Sequence, residues 1–383
     1  MQFSFATAGQ IEFGPGKTGV LEAMLPSYGS RAFLVTGSSP SRAEPLRKMI
    51  ESRGVTVHVY AVSGEPDLDT VQQGAALARD VPCDFVIGMG GGSVLDTGKA
   101  ISALMTNHDP LIDYLEVIGS AKSLKNPTAP YVAIPTTAGT GTEVTRNAVI
   151  TSPEHHVKVS MRHRWMIPDV AIIDPELTVS MPPAVTASTG LDALTQVLEP
   201  FVSGKSNPFA DGFCRQGIRA AASSLRDAYL DGSNMDAREG MALAGLMGGL
   251  ALANAGLGAV HGFAGPMGGM FSLPHGVLCA CLLPHVMRVN VRALMERMPA
   301  SPAVKKYNEL GQLLTGRKAA AMDGVEWIQQ LCSDLKIRNL SEMGVTRKDF
   351  DAIVIKAARS SSMKGNPVDL KRDEMMMILE AAF

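Results

Sequence analysis

Three side chains in the second half of the chain, one carboxylate and two histidines, are of types that could hold a divalent ion, and a glutamine lies beside one of them. Asp192 and Gln196 lie four apart in a helical pattern, so they share one helix face. His261 sits in Val260-His-Gly-Phe-Ala-Gly265, and His275 in Leu273-Pro-His-Gly276. Both surroundings are apolar and glycine-rich. One carboxylate and two imidazoles suit Fe(II) or Zn(II) and leave positions open for water or substrate. On spacing alone the blander alternative has the stronger claim: two hydrogen-bonded core histidines and an ordinary helix carboxylate. The segments are far apart, and only a fold can unite them.

A second stretch points to phosphate chemistry. Gly88-Met-Gly-Gly-Gly-Ser93-Val-Leu-Asp96-Thr-Gly-Lys99 follows the β-branched and aromatic run Asp84-Phe-Val-Ile87. The apolar spacing from Val94 to Met105 predicts a helix. Glycines 90–92 leave no Cβ beside the backbone and permit positive φ. The first helical amides have no internal partner and lie at the positive end of the helix dipole, which a diphosphate satisfies. A tight connection without a ligand is the competing reading.

The elements that must position these residues fall into two classes. Residues 31–36, 55–60, 84–88, 131–134 and 170–173 read as strands. Helical patterns over 41–52, 68–79 and 94–105 separate the earlier ones. Such alternation implies βαβ units and a mostly parallel sheet, with ligands at the carboxyl ends of its strands. From Pro183 onward the patterns are helical, over 186–202, 209–230, 235–255 and 325–335. The division is a dinucleotide-binding α/β domain over 1–180 and a helical metal and substrate domain over 181–383.

Composition narrows the class. The chain has 383 residues, 46% hydrophobic and 19% charged, enough for two domains with sizeable cores. A net charge of −2 gives no electrostatic case for nucleic acid or an anionic membrane surface. No apolar run is read as approaching the roughly 20 residues that span a bilayer. Met1-Gln-Phe-Ser-Phe-Ala reads as strand-like and lacks the basic start of a signal peptide. Five scattered cysteines read as reduced thiols, which points to the cytoplasm.

Taken together the motifs resemble the iron-containing (group III) alcohol dehydrogenase family, related to maleylacetate reductases and glycerol dehydrogenases. The matching pieces run in order: Phe13-Gly-Pro-Gly16, the glycine stretch 88–99, Ile134-Pro-Thr-Thr-Ala-Gly-Thr-Gly-Thr-Glu-Val-Thr145 and Pro168-Asp-Val-Ala-Ile-Ile-Asp-Pro175. Gly190-Leu-Asp-Ala-Leu-Thr195, Val260-His-Gly-Phe-Ala264, Pro274-His-Gly276 and Leu283-Pro-His285 follow. The resemblance implies a nucleotide-binding α/β domain, an all-helical domain and an active site in the cleft between them. It implies a nicotinamide-dependent oxidoreductase that interconverts a small alcohol and its aldehyde or ketone, and a homodimer.

Roles follow by match. Gly90, Gly91, Gly92 and Ser93 would hold the cofactor diphosphate. Thr136, Thr137 and Thr140 would line the phosphates and nicotinamide. Lys158 would reach the ribose, Leu177 would pack near the adenine, and Asn147 would face the substrate. Asp192, Gln196, His261 and His275 match the metal site; without a metal, His261 and His275 would donate hydrogen bonds or protons to the substrate oxygen instead. Three departures stand out. Gln196 replaces a usual histidine, and an amide oxygen is the weaker ligand. Gly265 replaces a histidine of the proton relay. Gly37, followed by Ser38 and Ser39, replaces an acid that would repel a 2′-phosphate, so NADP(H) should serve at least as well as NAD(H). Two other readings are a maleylacetate-type reductase, with Arg146 as the cation for a keto acid, and a non-catalytic nucleotide sensor with a decayed metal site.

Overall fold

The computed structural model describes residues 2–155 and 157–383. The chain divides into two compact units, one of residues 7–137 and 141–178, the other of 1–6, 138–140 and 179–383.

The first unit is built on a parallel sheet. Its strands are β1 (Gln10–Phe13), β2 (Arg31–Gly37), β3 (Thr56–Val62), β4 (Phe85–Gly90), β5 (Tyr131–Pro135) and, last in the chain, β8 (Val170–Ile173). They lie in the order β1-β8-β5-β4-β2-β3, all parallel. Helices α1 (Leu21–Tyr28), α2 (Glu44–Ser52), α3 (Leu68–Asp80), α4 (Gly92–Thr106) and the short α5 (Leu111–Tyr114) complete it. The period-2 alternation of strand side chains explains why β2 is buried on both faces. Phe33 and Val35 join the core with Val94, Leu95 and Ile101 of α4, whereas Ala32 and Leu34 join the core with α1 and α2. An antiparallel pair, β6 (Asn147–Ser152) with β7 (Val157–Arg162), stands apart from the main sheet and is absent from the expected strand series.

α4 is anchored by an inward-facing lysine. Lys99 is fully buried and donates to Thr142 O at 2.7 Å, Thr142 Oγ1 at 2.9 Å, Thr145 Oγ1 at 3.2 Å and Asn147 O at 2.9 Å. Asp96, one turn earlier, accepts from Thr142 Oγ1 and from the Val149 amide. Burial lowers the Lys99 ammonium to about 8 and raises the Asp96 carboxyl, each partly offset by the other's charge. The helix that begins at the glycine turn is therefore locked to the 142–149 segment.

The second unit is helical: α6 (Pro183–Val202), α7 (Pro208–Leu230), α8 (Met235–Ala255), α9 (Ala259–Phe271), α10 (His275–Arg297), α11 (Pro302–Thr315), α12 (Ala321–Asp334), α13 (Phe350–Arg359) and α14 (Arg372–Ala382). Asn207 and Asn234 cap α7 and α8 through their side chains. Residues 2–6 form no strand. They belong to this unit, tied by Ala6 N to Asn254 Oδ1 at 2.8 Å and by stacking of Phe5 on Phe213. The membrane expectation also needs correction. Among the described residues α10 is long and apolar enough to cross a bilayer, yet 72% of its apolar window is buried. It packs against α6, α9, α12 and α14, and its hydropathy is that of a central core helix.

Candidate active site

The helical unit gathers the expected ligands around one carboxylate oxygen. Asp192, mid-way along α6, is 2% exposed. Gln196, one turn on, donates its Nε2 to Asp192 Oδ2 at 3.0 Å. That bond leaves Oδ1 to the histidines: His261 Nε2 lies 3.6 Å and His275 Nε2 3.7 Å from it. Both distances are too long for hydrogen bonds. Asp192 Oδ1 and Gln196 Oε1 are buried with no hydrogen-bond partner. Leaving such oxygens unpaired is costly unless something electropositive sits there. One ligand atom each from Asp192, His261, His275 and Cys279 all lie within 4.8 Å of one another. The donor set and the orphaned oxygens fit a divalent cation.

The local fold holds this cluster from behind. Glu199 lies two turns after Asp192 on the same face of α6. It accepts from the amides of Gly258 at 2.9 Å and Val260 at 2.6 Å, at the start of α9. A carboxylate there meets otherwise unpaired amides at the positive end of the helix. The same side chain meets His261 Nδ1 at 2.7 Å. With Nδ1–H donated to Glu199, Nε2 points to the cluster and offers it a lone pair once its own proton is displaced. Gly258 makes room, since a Cβ there would lie 2.9 Å from Glu199 Oε1. Gly276 does likewise for α10: its Cβ would sit 2.7 Å from Ser188 O of α6, so the helix start carrying His275 comes close to Asp192.

The electrostatics follow. Burial would raise the Asp192 carboxyl, but His275 and His261 hold it below its usual value. Burial would lower the His261 imidazole, yet its surroundings hold it well above the ordinary value. Burial pushes the Cys279 thiol up to about 12, so it is neutral near pH 7 without a cation. Contact with Cys279, Asp192 and Glu199 is what raises the His261 imidazole. His275 has a side chain 32% exposed and is the open member of the group. A Cβ at Gly265, one turn beyond His261, would meet nothing within 4 Å.

The expected cofactor residues lie mainly in the α/β unit, at the carboxyl ends of its strands. Gly90 ends β4, Gly91 caps α4, and Gly92 and Ser93 open it with no side chain on the first amides. None of glycines 90–92 has positive φ, so left-handed backbone is not why they are glycine. A Cβ on Gly90 would run into Val94, so that position serves strand–helix packing, while one on Gly91 would meet Thr137 at 3.4 Å. Thr136 N donates to Gly90 O, continuing the β4–β5 pairing. Thr140 lies instead with the helical unit, where neighbouring Gly139 packs on Thr189. Gly37 ends β2, with Ser38 exposed beyond it. Lys158 pairs with Glu65 at 3.3 Å, Leu177 packs on the core shared by α1 and α2, and Asn147 opens β6. Two residues of the cluster were not anticipated. Glu199 was signalled by its spacing of seven from Asp192, and Cys279 by its spacing of four from His275.

Comparison with known proteins agrees with this geometry. Residues 8–175 match the family described as iron-containing alcohol dehydrogenase, and 186–383 match the C-terminal domain of the Fe-containing alcohol dehydrogenase family. The 1,3-propanediol dehydrogenase of Klebsiella pneumoniae is 35% identical over 97% of this chain and 96% of that protein. Alcohol dehydrogenase 4 of Schizosaccharomyces pombe is 36% identical over 88% of this chain and 78% of its own length. The crystal structure of a 1,3-propanediol oxidoreductase, 34% identical, superposes with a TM-score of 0.93 over 100% of both chains. A sulfoacetaldehyde reductase from Bifidobacterium kashiwanohense, solved with NAD+, is 28% identical, with a TM-score of 0.88 over 100% of this chain and 99% of that one. This chain belongs to the iron-containing alcohol dehydrogenase family and is an oxidoreductase of the alcohol–carbonyl kind.

Proposed function

We propose that the chain transfers hydride between NADP(H) or NAD(H) and a small alcohol or its aldehyde or ketone. The observation that carries the reading is the unpaired Asp192 Oδ1, buried and faced by His261 and His275. Asp192, His261 and His275 would hold Fe(II) or Zn(II), with Gln196 beside them. Such an ion would act as a Lewis acid on the substrate oxygen. Gln196 keeps Asp192 oriented, and Glu199 keeps His261 oriented. His275, partly exposed, meets the substrate. Gly91, Gly92 and Ser93 offer main-chain amides to the cofactor diphosphate. The five free thiols support work in a reducing cytoplasm. Arg146 is exposed on its loop, which lends no support to a keto-acid substrate.

The test is elemental analysis of anaerobically purified protein, paired with NADPH oxidation across aldehydes and ketones, for the wild type and His275→Ala. About one metal per chain and turnover that collapses in the variant are expected. Undiminished turnover in His275→Ala would sink the site assignment. The cofactor reading has its own test in Gly37→Asp, where a new Cβ meets only Val94 Cγ2 at 4.0 Å. A carboxylate there should cut kcat/KM for NADPH by about tenfold or more and spare NADH. An equal loss with both would refute it.

A further inference from the structure

Cys279 has no place in the expected ligand set, yet it stands in the cluster. It follows His275 by four residues on α10, on the same helix face. Its Sγ lies 3.6 Å from His275 Nε2. Two other buried thiols of the helical core behave differently. Cys281 directs its S–H to Ala382 O and Cys332 to Ala280 O, as inert core thiols do. Cys279 faces two imidazoles and a carboxylate instead.

We propose that Cys279 is a fourth protein ligand of the divalent ion, beside Asp192, His261 and His275. The inference rests on the metal role given under Proposed function. Three ligand-to-ligand distances support it: 3.6 Å for Cys279 Sγ to His275 Nε2, 3.6 Å for His261 Nε2 to Asp192 Oδ1, and 3.7 Å for His275 Nε2 to Asp192 Oδ1. A tetrahedral zinc ion, with sulfur at about 2.3 Å and nitrogen or oxygen at about 2.1 Å, sets its ligands about 3.4 to 3.6 Å apart. These three of the six edges match such a tetrahedron to within about 0.3 Å, and all six lie within 4.8 Å. Gln196 turns its Nε2 to Asp192 Oδ2 and keeps a partnerless neutral Oε1, a weaker donor than a thiolate. A thiolate also offsets the weakness of an amide oxygen and moves the preference from Fe(II) toward Zn(II). Ligation forms a metal–sulfur bond and releases the thiol proton to solvent.

The experiment strips the full-length protein with a chelator and reloads it with Zn(II) or Co(II). The wild type, Cys279→Ser and, as a control on the same helix, Cys281→Ser are compared. X-ray absorption at the zinc edge should show one sulfur at about 2.3 Å beside nitrogen and oxygen at shorter distance. The Co(II) form should show a sulfur-to-cobalt charge-transfer band in the near ultraviolet. Both signatures should vanish in Cys279→Ser and persist in Cys281→Ser, and zinc affinity in Cys279→Ser should fall about tenfold or more. Zinc bound through nitrogen and oxygen alone would overturn the ligand assignment and leave the proposed activity standing. Failure to bind any divalent ion would overturn both. If Cys279→Ser does not fold, the wild-type spectra decide.

Discussion

Glu143 gives a quantitative test of how the α/β unit is held together. It is 4% exposed, in the single turn Thr142–Val144 beside buried Lys99 and Asp96. Burial pushes its carboxyl from 4.5 up to about 7; its own main-chain amide and Lys99 pull back, and Asp96 adds to the rise. Each tenfold in proton affinity is worth about 1.4 kcal/mol, so the full effect is about 3 kcal/mol. The sign follows from linkage. The folded state holds the proton more tightly, so the stability it contributes is fully present below about pH 4.5. It is lost as pH rises through about 7. Glu143→Gln removes the titration while keeping the shape. The variant and the wild type should therefore match near pH 4.5, and the variant should gain about 2 kcal/mol on the wild type between pH 5 and 7.5. That window lies below the titration of Lys99 at about 8. Urea denaturation followed by Trp165, in a Trp327→Phe background, reports this unit, because these are the only two tryptophans. A midpoint shift of about 1 M in the variant's favour at pH 7.5 is expected. A stability difference that does not change with pH would refute the claim that Glu143 is buried as a proton-holding acid.

Two further substitutions probe the supports of the site. Glu199→Gln keeps the shape but weakens the acceptor for His261 Nδ1 and for two α9 amides, so Zn(II) affinity by chelator competition should fall about 10- to 100-fold. Unchanged affinity would mean that Glu199 only caps the helix. Gly88→Ala places a methyl group against Tyr131 Oη, which donates to Leu95 O at 2.8 Å, and should cost about 1 to 3 kcal/mol by thermal or urea melting. Adding Tyr131→Phe should recover part of that loss, whereas simple additivity would place the strain elsewhere.

Much of the α/β unit was legible because its central strands are buried on both faces and read as continuous apolar runs. The β6–β7 pair was not, since its outward Val149 is apolar and its buried Ser152 polar, so the sequence hydrophobicity does not follow the burial alternation. Residues 259–297 misled for another reason. Gly262, Gly265, Pro266, Gly276 and Pro284 are loop punctuation in a linear reading, yet they lie inside α9 and α10. Gly262 and Gly276 are small because Met363 and Ser188 O come close, not because the chain turns there. Helix contacts of this kind, between segments tens of residues apart, leave no periodic signal.

The same physics decided which site residues could be found. Asp192, His261 and His275 stood out through the motifs around them, and the fold supplies the reason those motifs converge: α6, α9 and α10 pack together in one core. Glu199 and Cys279 were visible only as helical spacings from residues already singled out. A glutamate seven positions on is an ordinary helix residue until its partners, the Gly258 and Val260 amides and His261 Nδ1, are known. A cysteine four positions after a histidine is an ordinary core thiol until Asp192 Oδ1 is found unpaired beside it. The departure at Gln196 then reads differently. A lost histidine suggests a decayed site when read alone. With Gln196 Nε2 holding Asp192 Oδ2 and Cys279 Sγ beside His275, the four-ligand count is restored from another helix. The substitution then acts on which ion is preferred rather than on whether one is held.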